Sequence, residues 1–276
     1  MKRITLLILM YMFVLAGCGG GEESNSSADQ NGTNSDNSDS GSETLVVAMT
    51  HASPPNAFEN EETGEPDGVM IDIIQRIAER TGYELEFESM PFSSLIPSLD
   101  SGRVDLIAAG MGITDERAEV VNFTEPVYGF TEALVVPAGN EDNVRSLEDL
   151  DGKSVGVSSG TFYHDYLVES DVEMDVKAYD TVSEMMLDLT NGRIHAAVND
   201  TPIVHYLNEN NSDYNVETVE EYEANYVIDI GLIIEQGNDE LLNELSDQID
   251  QMKEDGTLDE IHEKWGTTWF GSDDDE

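Results

Sequence analysis

One cysteine among 276 residues leaves the chain without any internal disulfide. Basic residues are nearly as scarce: 12 Lys and Arg stand against 59 Asp and Glu, a formal net charge of -47. Nucleic-acid phosphates would be repelled by such a chain, which excludes them as partners, and anionic lipid offers it no attraction. The apolar run at residues 4–14 is too short to span a bilayer. The five histidines lack zinc-ligand spacing and no second cysteine exists, so no metal is expected. Gly152-Lys153-Ser154 lacks the earlier glycine of a phosphate-binding loop, position 147 being Leu. No cofactor is expected. With the acids spread along the whole chain, the simplest reading is an acidic solvated surface. At molar salt the screening length falls to about 3 Å, so the composition suggests a halophilic source.

What is present begins at the N-terminus. Lys2 and Arg3 precede the apolar run, which ends in Leu15-Ala16-Gly17-Cys18. A charged start, a short apolar stretch and small residues at its end read as a secretory signal over residues 1–17. The last four residues resemble the lipobox of bacterial lipoproteins. That resemblance implies cleavage before Cys18 and diacylglycerol on its thiol, a stable anchor to the outside of the cell membrane. Residues 19–43 are Gly, Ser, Asn, Asp, Glu, Thr and Gln with a single Ala. Nothing there offsets the entropy of ordering, so residues 18–43 read as the acylated Cys and an acidic tether. As a flexible coil it would reach about 25–30 Å. Residues 271–276 form an acidic tail.

Between these ends the pattern alternates strand and helix. Residues 45–48 form an apolar strand; Val69, Ile73, Ile74 and Ile77 mark one face of a helix that stops at Thr81-Gly82, where Gly suits a left-handed cap. Residues 85–88 alternate as a strand. Ser93 is expected to cap a helix carrying Leu95, Ile96 and Leu99, followed by Gly102 and a strand over residues 104–108. The unit returns 90 residues later without a gap: Ser93, Leu95, Ile96, Leu99, Gly102, Arg103 and Val104 correspond to Ser183, Met185, Met186, Leu189, Gly192, Arg193 and Ile194. Met185 and Met186 read as core. Alternation of this kind builds parallel sheet covered by helices, and the repeat predicts two lobes of related topology. Ligands bind beyond the carboxyl ends of such strands, here residues 50–55, 110–114, 158–162 and 199–200.

Gly110 to Arg117 is the most informative stretch. Two glycines free the backbone to approach a ligand, and Thr114 can cap a short helix whose first turn carries Arg117, one of seven arginines. Free N–H groups and a planar guanidinium suit a carboxylate. The bland alternative pairs Arg117 with Glu116 or Glu119. Asp200, an acid at a strand end, suits an ammonium, or equally caps the helix opening at Thr201-Pro202.

At these residues the chain resembles the family 3 extracellular solute-binding proteins of ABC transporters, mostly receptors for polar amino acids. The likeness runs over residues 45–265, strongest at 68–78, 90–99 and 105–128, with Met-Pro-Phe-Ser-Ser-Leu-Ile-Pro, Gly-Ile-Thr-Asp-Glu-Arg and the closing Lys253-Glu254-Asp255-Gly256-Thr257 and Glu263-Lys264-Trp265. It implies an α/β, two-lobed periplasmic-binding-protein-like fold of type II, each lobe a mostly parallel sheet flanked by helices. The first lobe is expected at 44–132 with 230–270 and the second at 133–229, with hinge crossings near 131–134 and 226–230. It also implies a monomer without enzymatic activity that delivers a small zwitterion to ABC permease subunits. Arg117 would hold the ligand's α-carboxylate, helped by the backbone of Gly112 and of Thr161-Phe162. Asp200 and the Gly110 carbonyl would hold the α-ammonium, and Phe92 would touch the side chain. The chain departs from many relatives: Ser53 replaces an aromatic, Thr50 an acid and Gly112 a hydroxyl residue. The missing acid argues against a Lys or Arg ligand; His51, Phe58, Phe162 and Tyr163 are the candidates to compensate.

Two enzyme readings compete. Gly156-Val157-Ser158-Ser159-Gly160 fits a nucleophile elbow, with Asp200 and His205 following in order. No oxyanion segment precedes it. Alternatively, the same fold serves a dehydratase, for which His51 and Asp200 are the available acid or base.

Overall fold

The computed structural model describes residues 43–140, 142–210 and 214–267. The signal, Cys18, almost all of the tether and the acidic tail lie outside the described residues. No helix among them is long and apolar enough to cross a membrane.

Two central sheets carry the fold, and they are built alike. In the first, strand Thr44–Thr50 runs parallel to Glu84–Met90 on one side and to Leu106–Ile107 on the other. Ile233–Glu235 then adds antiparallel, followed by Val121–Phe123. In the second, Ser154–Ser158 lies parallel between Asp175–Tyr179 and Ala196–Asp200. The long strand Tyr128–Pro137 adds antiparallel, followed by Val216–Thr218. The order of chain segments is therefore the same in both, as the 90-residue repeat foretold. Each sheet's antiparallel neighbour comes from the other end of its lobe's sequence, which no local pattern announces.

Helices cover the sheets through apolar faces set by 3.6-residue spacing. Val69–Thr81 buries Val69, Met70, Ile71, Ile73, Ile74, Ile77 and Ala78, and ends on Gly82 in the left-handed region (φ 87°). Asp239–Glu254 and Thr257–Trp265 pack beside it through Leu245, Ile249, Met252, Leu258 and Ile261. In the second lobe Val182–Thr190 buries Val182, Met185, Met186 and Leu189, so both methionines are core.

Two local expectations are corrected. Ser93 caps no helix; a 3-10 turn, Phe92–Ser94, opens after Pro91 and runs directly into Leu95–Asp100. Its counterpart Ser183 is likewise inside a helix, where Thr181 is the cap and accepts the Glu184 N–H at 3.2 Å. A hydroxyl two residues too late satisfies no orphan N–H, and Thr181 had the extended backbone a cap needs. The strand over 104–108 shrinks to Leu106–Ile107. Asp105 is diverted there: its carboxylate accepts the Val46 N–H at 2.7 Å.

The lobes are joined by two adjacent crossings. Tyr128–Pro137 changes partner midway: residues 128–131 pair with Val227–Ile230, and residues 132–135 with Ala196–Asp200. Glu132 sits at the changeover, 2% exposed. Its carboxylate accepts the N–H groups of Asn225 (2.5 Å) and Tyr226 (3.1 Å) and the Tyr222 hydroxyl (3.2 Å), tying the return crossing to the outgoing one. Three donors on one buried carboxylate offset its loss of hydration.

Candidate functional site

The four strand ends singled out above converge on one cleft between the sheets. It encloses about 700 Å³ counting its open mouth, and its walls include Thr50, His51, Ser53, Gly110, Ser158, Thr161, Asn199 and Asp200. Seven of the eight expected ligand residues line it: Arg117, Asp200, Gly110, Gly112, Thr161, Phe162 and Phe92. Phe58 does not. Its ring packs instead against Trp265, edge-on at 5.9 Å, and against Tyr206 at 6.0 Å. Strand Ala57–Glu59 alternates its side chains, and the one at 58 is turned away from the cleft onto the terminal helix. His51, Ser53 and Tyr163 do line the cleft.

Arg117 is held from three sides. The Thr114 hydroxyl caps the short helix Asp115–Ala118 by accepting the Arg117 N–H at 3.2 Å. The guanidinium donates Nη1 to the Gly112 carbonyl at 2.7 Å and Nη2 across the cleft to the Gly160 carbonyl at 3.3 Å. It lies 5.6 Å from the Phe92 ring centroid, a cation–π distance. Among the described residues no carboxylate forms an ion pair with it, so pairing with Glu116 or Glu119 is not observed. Burial pushes its pKa down, opposed by nearby Glu116 and Asp200. A half-buried guanidinium with no carboxylate on it has the chemistry to take an anion.

The glycines have steric reasons. A Cβ at Gly112 would fall 2.6 Å from the Ile228 side chain, and one at Gly110 would fall 2.3 Å from the Asn56 amide nitrogen. The hydroxyl that many relatives carry at position 112 has no room here, because the return crossing brings Ile228 against it. Gly160, with φ 77°, approaches Ser93 so closely that a Cβ would lie 3.0 Å from it, which lets the second lobe's loop meet the first lobe's.

Asp200 ends strand Ala196–Asp200. Burial raises its pKa to about 7; the Tyr163 hydroxyl and the Arg117 cation hold it down, and Glu132, its cross-strand partner, pushes it further up. Arg117 and Asp200 thus feel one another across the cleft without forming an ion pair, a spacing that suits a molecule carrying both charges. Tyr163, 2% exposed, has its ionisation pushed up by burial and then by Asp200, so its hydroxyl stays protonated.

The cleft also collects polar groups that the protein leaves unpartnered. Asn56 Oδ1 and Nδ2 and Asn199 Nδ2 are all buried without a hydrogen bond. Each such group costs roughly 1–3 kcal/mol, so concentrating them in one place is a mark of ligand binding. Asn56, the Asn199 side chain and Ile228 carry no signal in sequence spacing that marks them for the cleft. Asn56 follows Pro54-Pro55 and reads locally as an ordinary turn residue.

The hydrolase constellation does not assemble. Ser158 and Asp200 line the cleft, but His205 is exposed on helix Thr201–Asn210 and borders a different depression, beside Tyr206 and Trp265.

Two lobes on paired crossings, with a cleft offering a cation to one side and an acid to the other, define a hinged solute-capture protein. Residues 45–268 match the bacterial extracellular solute-binding proteins, family 3, and the chain belongs to that family. It is 31% identical over 230 residues to the L-cystine-binding protein TcyJ of Escherichia coli K12, covering 83% of this chain and 84% of that one. It is 33% identical over 225 residues to a putative ABC transporter arginine-binding protein 2 of the same organism, covering 81% and 90%. Among solved structures, an ancestral arginine-binding protein bound to glutamine superposes with a TM-score of 0.74 at 37% identity, covering 80% of this chain and 97% of that one. The fold is that of the type II periplasmic binding proteins.

Proposed function

We propose that the chain captures a small zwitterionic amino acid between its lobes and presents it to the permease subunits of an ABC importer. One observation carries this: Arg117 and Asp200 line the same cleft, oppositely charged and unpaired with each other. Arg117 with the Gly112 and Thr161-Phe162 backbone takes the α-carboxylate; Asp200 with the Gly110 carbonyl takes the α-ammonium. Phe92 flanks the side chain. Relatives named for cystine and arginine support an amino acid as cargo.

The lobes divide at 44–132 with 230–270 against 133–229, and closing them about the two crossings buries the ligand. The protein acts as a monomer and by capture alone, without turnover. Cys18 carries the lipid anchor; a mature chain beginning at Cys18 whose mass shows no diacylglycerol on the thiol would contradict this. The acidic surface suits molar salt, and full stability in dilute buffer would count against that reading.

A thermal-shift screen over amino acids and osmolytes tests the function. A ligand at a hundredfold its dissociation constant adds about 2.7 kcal/mol to stability, so at least one polar amino acid should raise the melting temperature clearly. Silence toward every zwitterion would sink the proposal.

A further inference from the structure

We infer that Asn56 reads the ligand's side chain and selects an amino acid ending in a carboxamide. The inference rests on the assignment of Arg117 and Asp200 to the two charged ends of the ligand.

Asn56 is 0% exposed, lines the cleft, and has neither amide atom hydrogen-bonded. Its position is fixed by its backbone. The N–H donates to the Ser53 carbonyl at 2.8 Å, and its carbonyl accepts the Met70 N–H at 3.0 Å. Gly68, at φ 127°, permits that carbonyl to come close, since a Cβ there would lie 2.6 Å away. The side chain rests against Gly110, the residue assigned to the ammonium. A backbone so firmly seated keeps the side chain from swinging out to find water, and its unpartnered donor and acceptor stay in the wall of the cleft.

The remaining wall decides what that is. Met90, Phe92, Phe130, Ile203 and Ile228 are apolar, and Thr50, His51, Ser53, Ser158 and Ser159 add polar groups but no carboxylate. Beyond Asp200, the acid bordering the cleft is Asp180, and it is exposed. A guanidinium or ammonium offers only donors, so it would satisfy Asn56 Oδ1 and leave Nδ2 facing another donor. A carboxylate offers only acceptors and leaves Oδ1 facing an anion. A carboxamide offers one of each and answers both atoms at once, and its oxygen can also take the free Asn199 Nδ2. A site built around a hydrogen-bonding group discriminates strongly against ligands that leave it unpaired.

Titration calorimetry with L-glutamine, L-asparagine, L-arginine and L-glutamate tests this on the wild-type protein, Asn56→Leu and Asn56→Asp. One of the two amides should bind wild type about tenfold or more tightly than arginine and glutamate. Asn56→Leu should lose about tenfold or more for that amide while changing arginine by less than about threefold. Asn56→Asp, nearly the same shape, should turn the preference toward arginine, and it decides the matter if the Leu variant does not fold. Arginine or glutamate binding wild type as tightly as the amides would overturn the inference and leave the capture function standing. So would an equal loss for every ligand in Asn56→Leu. If none of the four binds wild type, the inference falls, and the capture function falls with it only when the wider thermal-shift screen is silent as well.

Discussion

Arg117→Ala is expected to bind its amino acid about a hundredfold or more weakly than the wild-type protein. Truncating one member of a buried, hydrogen-bonded charge pair costs about 2–5 kcal/mol, and each 1.4 kcal/mol is tenfold in affinity. Two losses coincide here. The ligand carboxylate would be buried without its partner, and the bond from Nη2 to the Gly160 carbonyl, which spans the cleft mouth, would vanish. Arg117→Lys separates them: it restores charge without the planar fork, so its affinity should fall between the other two. Calorimetry gives the affinities, and melting of the ligand-free variants checks that the lobes still fold. Affinity within about threefold of wild type in Arg117→Ala would show that the carboxylate lies elsewhere.

Affinity should also climb with pH through neutrality. In the free protein Asp200 titrates at about 7, raised first by burial and then by Glu132 opposite it, while Tyr163 and Arg117 oppose the rise. An ammonium binds the ionised carboxylate, so ligand and proton compete. Below about pH 7 each unit should weaken binding by up to tenfold, and above it the affinity should level off. Asp200→Asn should bind weakly and lose this dependence. The ligand-free protein follows the opposite sense. Its folded form keeps a proton that the unfolded form has released above 3.8, so this contribution is present at acid pH and is lost as the pH rises to about 7. A wild-type affinity that stays flat from pH 5 to 8 would mean that Asp200 does not face the ammonium.

Much of the fold was readable because its signals are local. Val69, Ile73, Ile74 and Ile77 fall on one helical face and are all fully buried, and Gly82 and Gly102 supply the left-handed turns their positions suggested. The second copy of the strand–helix–strand unit was legible because it preserves spacing. Caps were less so: Thr181 and Ser183 both carry hydroxyls, and only the backbone angle at 181 separates them. The site divides in the same way. Arg117, Gly110, Gly112 and Asp200 announce themselves at strand ends and in a glycine-rich turn. Asn56 and Ile228 reach the cleft through tertiary packing, the one against Gly110 and the other against Gly112, and sequence spacing says nothing of either contact. Phe58 is absent from the cleft wall for a related reason: strand alternation allows two faces, and the terminal helix with Trp265 takes the ring.

A crystal structure of the protein grown with L-glutamine, or with whichever amino acid the thermal screen selects, tests the central claim most directly. Closed lobes are expected, with the α-carboxylate forked on Arg117 and the α-ammonium on Asp200. A ligand seated elsewhere, or one whose ammonium lies nearer Arg117 than Asp200, would contradict it.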